Sequence, residues 1–208
     1  MARGSQTLHR ISLFTRILRT ATLHIQRRLV MMLAAWLALL LACCAPPDGG
    51  PSTPGLEVVM AQTEREYPMV HHATTDKVEQ WLNDPLSPPM LLDVREEEEF
   101  AVSHLRGAVN VNPGALAQGV MDKQLKGINK NRRIVTYCSV GLRSAKLAKR
   151  LQEAGFTNVH NLNGSIFLWA NEGKPIYRGQ VPVSVVHPYD RTWGKLLKPE
   201  LRDERAGN

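Results

Sequence analysis

The sequence predicts an α/β protein built on a parallel sheet with helices on both faces. Three observations carry this: four short apolar runs of strand length, an amphipathic segment between the last two, and turn residues at the joins. In chain order, Tyr67–His72 fits a short edge strand. Asp76 with Glu79 has the form of a capping box, opening a helix through Trp81 and Leu82 that Asn83-Asp84-Pro85 stops. Met90–Val94 is an apolar run suited to a strand buried on both faces, and Ala108–Val111 is a second. Arg133–Tyr137, rich in β-branched residues, and Asn158–Leu162 complete the set. Between these two, Ala145, Leu147, Ala148, Leu151 and Ala154 recur at helical spacing, with Lys146, Lys149, Arg150, Gln152 and Glu153 opposite and Gly155 in the C-cap position. The absence of an internal repeat excludes a two-copy tandem architecture.

The net charge of +7 invites a nucleic-acid reading, but its distribution argues against one. Residues 1–45 hold six arginines and no acidic residue; removing them from 26 basic residues leaves 20 against 19 acidic for the rest of the chain. The body is nearly neutral, and nucleic acid is not an expected partner. The leader has the order of a secretion signal, an Arg-rich stretch followed by the apolar run Leu29–Ala45. Leu40-Leu41-Ala42-Cys43 resembles a bacterial lipobox, which makes Cys43 the expected lipidation site and the protein an exported, membrane-attached lipoprotein facing the periplasm or cell exterior. An uncleaved signal anchor is the alternative, since the run is long enough to span a bilayer; an organellar presequence ranks last. Residues 46–65 are expected as a tether on the strength of 46–55, which hold four prolines and three glycines. The folded domain is placed at 66–177, and 178–208 form a C-terminal extension.

With Cys43 and Cys44 in the leader, Cys138 is alone in the body, where it cannot form an intradomain disulfide and must either hide or react. It opens Cys138-Ser139-Val140-Gly141-Leu142-Arg143-Ser144, directly after a strand and directly before a helix. Ligands bind at the carboxyl ends of strands in open α/β folds. A short loop entering a helix aims successive amides at one point, and the helix N-terminus adds partial positive charge. A cysteine opening such a nest has a depressed pKa, and the same amides suit an anionic group on its sulfur. Gly141 lets the backbone turn, and Arg143 and Ser144 can brace the loop or contact the anion.

Four blocks then stand in order. Leu91-Leu92-Asp93-Val94-Arg95, Glu99-Phe100 and His104-Leu105-Arg106-Gly107-Ala108-Val109-Asn110-Val111 make the first, and Tyr137–Ser144 the second. Gly155-Phe156-Thr157-Asn158-Val159, and then Leu162-Asn163-Gly164-Ser165 with Trp169 and Gly173-Lys174-Pro175-Ile176, make the others. Together they resemble the rhodanese family over about residues 66–177. The resemblance implies a rhodanese-like fold and a sulfurtransferase in which Cys138 carries sulfane sulfur as a persulfide. It implies substrate contacts from Arg95 and from Ser139, Val140, Gly141, Leu142, Arg143 and Ser144. The expected donor is thiosulfate or a similar small anion, and the acceptor a thiol or cyanide, with no metal or organic cofactor. A persulfide relay or binding module serving a protein sulfur partner is the rival reading. Ser103 and Arg106 stand where the family more often has glycine and proline. The related phosphatases and arsenate reductases have a loop one residue longer, a wider cradle for a tetrahedral oxyanion, and favour histidine where this chain has Tyr137.

Other polar residues have plainer expectations. Asp93 ends a buried strand and is expected to receive backbone hydrogen bonds rather than act as a base. An ion pair with Asp93 or Glu99 competes evenly with substrate binding for Arg95. Glu96–Glu99 fits the solvated face of a short helix, His104 orders the loop before Gly107, and adjacent His71 and His72 suit no common metal spacing. His187–Trp193 is expected to pack on the domain, as an anchor or a lid, while Arg202–Asn208 stays disordered.

Overall fold

Strand length and two-sided burial set the centre of the sheet. Ile134–Tyr137 (β4) is buried at every position. In this computed structural model, which describes residues 55–111 and 125–206, β4 lies in the middle of five strands. The others are His71–Ala73 (β1), Met90–Asp93 (β2), Val109–Asn110 (β3) and Val159–Leu162 (β5). The order is β1-β5-β4-β2-β3 and every pairing is parallel. The leader, including Cys43, lies outside the described residues.

Helices cover both faces, as the sequence predicts. Alternation along β4 sends Ile134 and Cys138 to one side and Val135 and Tyr137 to the other. The first side packs on Leu142–Glu153 (α4) through Leu147, Ala148 and Leu151. The second packs on Leu56–Glu66 (α1), Thr75–Leu82 (α2) and Ser165–Asn171 (α5) through Leu56, Val78, Ile166 and Phe167. A short helix, Glu97–Val102 (α3), follows β2.

Three expectations need correction. Residues 56–65, placed in the tether, are helix α1, because Leu56 and Thr63 bury against the domain and the Pro/Gly-rich composition ends at Gly55. The capping residue of α2 is Thr74, whose hydroxyl accepts from Lys77 N at 3.2 Å, so the helix begins one residue before Asp76. The C-terminal extension is ordered through 206. It opens on a hairpin of Ile176–Arg178 (β6) and Val181–Val183 (β7), which is stitched to the domain where His104 and Tyr177 exchange backbone hydrogen bonds. Val186 then bridges Arg202 in parallel, and Asp203 is buried with its carboxylate on Arg205. Residues 202–206 thus have backbone and ion-pair partners, and 207–208 lie outside the described residues. Asn171 at the end of α5 clamps the returning chain, donating to Leu196 O at 2.8 Å and accepting from Lys198 N at 2.9 Å.

Candidate active site

β4 ends at Tyr137 and α4 begins at Leu142, so Cys138–Gly141 must carry the chain from sheet to helix. Gly141 makes that turn at φ 114°, a region side chains avoid. Its amide donates to Cys138 Sγ at 3.2 Å, and Ser144 Oγ lies 3.5 Å from the same sulfur. α5 holds the loop from behind. Ile166 N and Phe167 N donate to the carbonyls of Cys138 and Ser139 at 3.2 and 3.1 Å, and Ser165 Oγ accepts from Cys138 N at 3.1 Å. With those carbonyls engaged by α5, the backbone groups facing the sulfur are the Gly141 and Ser144 amides. The turn into α5 itself needs glycine: Gly164 has φ 68°, and a Cβ there would lie 2.6 Å from Leu168 Cβ.

Cys138 is 1 % exposed. Burial pushes its thiol pKa up, but the Arg143 charge, the Ser144 hydroxyl and the amides of Ser144 and Gly141 outweigh burial and hold it below the ordinary value. Arg143 is itself fixed. Its two terminal nitrogens donate to the two Glu99 oxygens at 2.9 Å each, and Nη2 donates to Ser139 Oγ at 3.0 Å. Ser139 in turn donates to Glu99 Oε1 at 2.7 Å. Burial would raise the Glu99 pKa, but hydrogen bonds and charge from Arg143, with help from Ser139, hold it below the usual carboxylate value.

The extension reaches this site. Tyr189 and Trp193, with Cys138, Val140, Leu142 and Arg143, line an open cleft of about 120 Å³. The Arg143 guanidinium stacks 4.9 Å from the Tyr189 ring, which remains 46 % exposed. His187–Trp193 therefore packs on the domain and also walls the entrance to the sulfur.

The Gly141 amide and Ser144 hydroxyl meet the Cys138 sulfur, and Ser139, Val140, Leu142 and Arg143 line the cleft beside it, but Arg95 lies elsewhere. It is fully buried, its Nε and Nη2 on the Asp93 carboxylate at 2.9 and 2.7 Å and Nη2 also on Ser103 O at 2.6 Å. The competing ion-pair expectation holds, because the Asp93 carboxylate two residues away takes Nε and Nη2, while Nη1 is buried with no hydrogen-bond partner among the described residues. Asp93 also accepts from Arg95 N at 3.0 Å, the structural role expected of it. The expectation for Glu99 is overturned: it is buried and pairs with Arg143, because the one face of α3 that meets the loop is the one that carries it. Its place beside Phe100 in the first motif block was the available signal. Ser165 and Asn161 had no assigned role in the site, whereas Tyr189 and Trp193 lie in the segment expected to serve as an anchor or a lid. Among the described residues, no group of three or more His, Cys, Asp or Glu is placed to hold a metal ion.

Residues 74–172 match the Rhodanese-like domain family. This segment is a rhodanese-like domain. Curated relatives of the chain include tRNA uridine(34) hydroxylase of Prochlorococcus marinus, 34 % identical over 97 residues, covering 43 % of this chain and 31 % of that protein. The Yersinia pestis protein of the same name is 29 % identical over 105 residues, covering 50 % and 29 %. The chain thus spans about a third of the length of these relatives. Among solved structures it is similar to a rhodanese-related protein from Thermoplasma volcanium, at 20 % identity and a TM-score of 0.43, covering 52 % of this chain and 98 % of that one. The domain and the relatives support sulfur-transfer or related chemistry.

Two expected outcomes follow from the Arg95–Asp93 and Arg143–Glu99 ion pairs. Arg95→Ala strands a buried carboxylate and should destabilise the fold by roughly 3–5 kcal/mol in urea unfolding. Iodoacetamide should still alkylate folded Cys138 at close to the wild-type rate; reduced alkylation at unchanged stability would return Arg95 to the sulfur site. Glu99 has a folded-state pKa below its unfolded value, so its charge stabilises the fold above about 4.5, and that contribution is lost as pH falls through the folded-state value. Glu99→Gln should therefore lower Tm at neutral pH, and its deficit should shrink as the pH drops below 4.5. A deficit independent of pH would contradict the depressed pKa.

Proposed function

We propose that this protein is a sulfurtransferase that moves sulfane sulfur from thiosulfate, or a similar small anionic donor, to a nucleophilic acceptor through a persulfide on Cys138. The observation that carries the reading is the buried, pKa-lowered Cys138 sulfur facing the Gly141 amide and Ser144 hydroxyl at the start of α4. In the first step the Cys138 thiolate attacks the outer sulfur of thiosulfate. A bond forms between Sγ and that sulfur, the original S–S bond breaks, and sulfite leaves with the bonding pair. In the second, cyanide or a thiolate attacks the outer persulfide sulfur; the S–S bond breaks and its electron pair restores the Cys138 thiolate. The loop amides favour the anionic sulfur at each stage, and Arg143, held by Glu99, supplies fixed positive charge without closing on the substrate.

The small cleft under Tyr189 and Trp193 favours small donors and acceptors over a bulky partner. Persulfide relay to a protein partner is the second reading, since the same intermediate serves both. The relatives' names bring in tRNA as a further substrate class, while the near-neutral charge of residues 46–208 favours the small-molecule reading. The proposal places the protein outside the cytoplasm, attached to the membrane through Cys43. Cys43→Ala should move it from the membrane to the soluble fraction, and equal membrane retention by that variant would remove Cys43 as the anchor.

For the chemistry, mass spectrometry of the intact protein with thiosulfate should show one added sulfur atom, discharged by cyanide with release of thiocyanate. Cys138→Ser should abolish both while folding normally. Wild-type turnover by that variant would falsify the mechanism; loading without turnover on cyanide or small thiols would shift the reading to relay.

A further inference from the structure

Among the described residues, Ser144 is the side chain that can give a proton to Cys138 Sγ from the sheet side, and it has only one to give. Three acceptors compete for it. Asn161 Oδ1 is nearest at 2.7 Å, Gly141 O lies at 3.1 Å and Cys138 Sγ at 3.5 Å. Asn161 is fully buried on β5, and its amide faces two partners. Beyond Nδ2 lies His72 Nδ1 at 3.2 Å, and the other ring nitrogen of His72, Nε2, lies 3.2 Å from the carbonyl of Tyr67.

Hydrogen-bond accounting fixes the direction of this chain. A carbonyl only accepts, so Nε2 carries a proton, and in a neutral ring Nδ1 is then an acceptor. Asn161 must donate to it through Nδ2, which turns Oδ1 toward Ser144. That oxygen takes the larger share of the hydroxyl proton, at the shortest of the three distances, and leaves the sulfur the weaker share at 3.5 Å. This arrangement suits a thiol, whose S–H can donate to Ser144 Oγ. A thiolate needs the opposite: the Ser144 proton turned to sulfur, and a donor rather than an acceptor behind it.

We propose that Asn161, locked by His72, is a positioning residue that governs how much Ser144 stabilises the Cys138 thiolate. It touches no substrate and acts only through the direction of one hydroxyl. Rotation of its amide would present Nδ2 to Ser144 and free the hydroxyl for sulfur, and His72 Nδ1 opposes that rotation by accepting from Nδ2. The charged and titratable groups around the thiol are Arg143 at the start of α4, Glu99 of α3 behind it, Tyr189 over that pair and, through Asn161, His72 of β1. The first three act from the cleft side; the polar chain from His72 comes through the sheet.

The inference rests on Cys138 as the reacting thiol, and its test reads thiol ionisation alone, apart from any sulfur donor. The rate of iodoacetamide alkylation at Cys138, separated from Cys43 and Cys44 by peptide mass spectrometry, is followed against pH in the full chain. Asn161→Leu removes the competing acceptor, so the midpoint should fall by about one pH unit, the size of one charge-assisted hydrogen bond. Asn161→Asp keeps an acceptor and adds a negative charge, so the midpoint should rise. A merely structural role lowers Tm in both variants but gives no opposite pair of shifts. With Ser144→Ala as background, Asn161→Leu should no longer move the midpoint. If Asn161→Leu does not fold, His72→Phe tests the lock from the other end, since loss of the Nδ1 acceptor lets the amide rotate and the midpoint should again fall. Equal midpoints in wild type, Asn161→Leu and His72→Phe, or a shift that persists without the Ser144 hydroxyl, would overturn the proposal. Failure of thiosulfate to load Cys138 would instead sink the sulfurtransferase reading and leave this one standing.

Discussion

A sulfur buried to 1 % exposure can hold negative charge only if donors and positive charge surround it, and much of the domain is arranged around that demand. β4 must end at the centre of the sheet, where burial is deepest, and the chain must turn at once so that amides face the sulfur. That turn depends on Gly141 at φ 114° and on α5, which takes up the loop carbonyls. α5 in turn depends on the turn at Gly164, where no Cβ fits. Each element is placed by the next, and a change in any of them moves donors away from one atom.

Arg95 and Arg143 show how local competition divides similar residues. Arg95 and Arg143 both lie in motif blocks of the rhodanese-like domain, and both pair with carboxylates. Arg95 finds Asp93 two residues away and is sealed off at the end of β2, where it also holds the Ser103 carbonyl. Arg143 finds Glu99 from a different element, and its side chain remains 27 % exposed beside the cleft. Desolvation makes both pairs costly to break, but only the second leaves charge where an incoming anion would meet it.

The C-terminal extension changes the character of the site. Its hairpin is tied to His104 and its far end to Val186 and Asn171, which gives the intervening His187–Trp193 segment two fixed ends. Tyr189 then lies over Arg143 and Trp193 borders the same cleft, so the sulfur is approached past aromatic walls rather than from open solvent. The family match ends at residue 172, so Tyr189 and Trp193 lie outside the matched domain.

Local pattern determined much of this protein. Strand runs, the α4 stripe of Ala145, Leu147, Ala148 and Leu151, and a lone cysteine opening a strand-to-helix loop are near-neighbour features, set by backbone geometry within a few residues. They were enough for the parallel α/β fold and for the loop Cys138–Ser144. What depends on distance along the chain was not legible. Leu56 belongs to the core because the sheet offers it a face, Glu99 is buried because Arg143 arrives 44 residues later, and Tyr189 meets the cleft because two distant contacts aim it there. Asn161 is polar and fully buried for the same reason, its partners lying on α4 and β1. Charge pairs and hydrogen bonds are short-ranged in space and indifferent to sequence separation, so local sequence pattern supplied the scaffold and the Cys138 loop, and only the packed chain decided which side chains surround that sulfur.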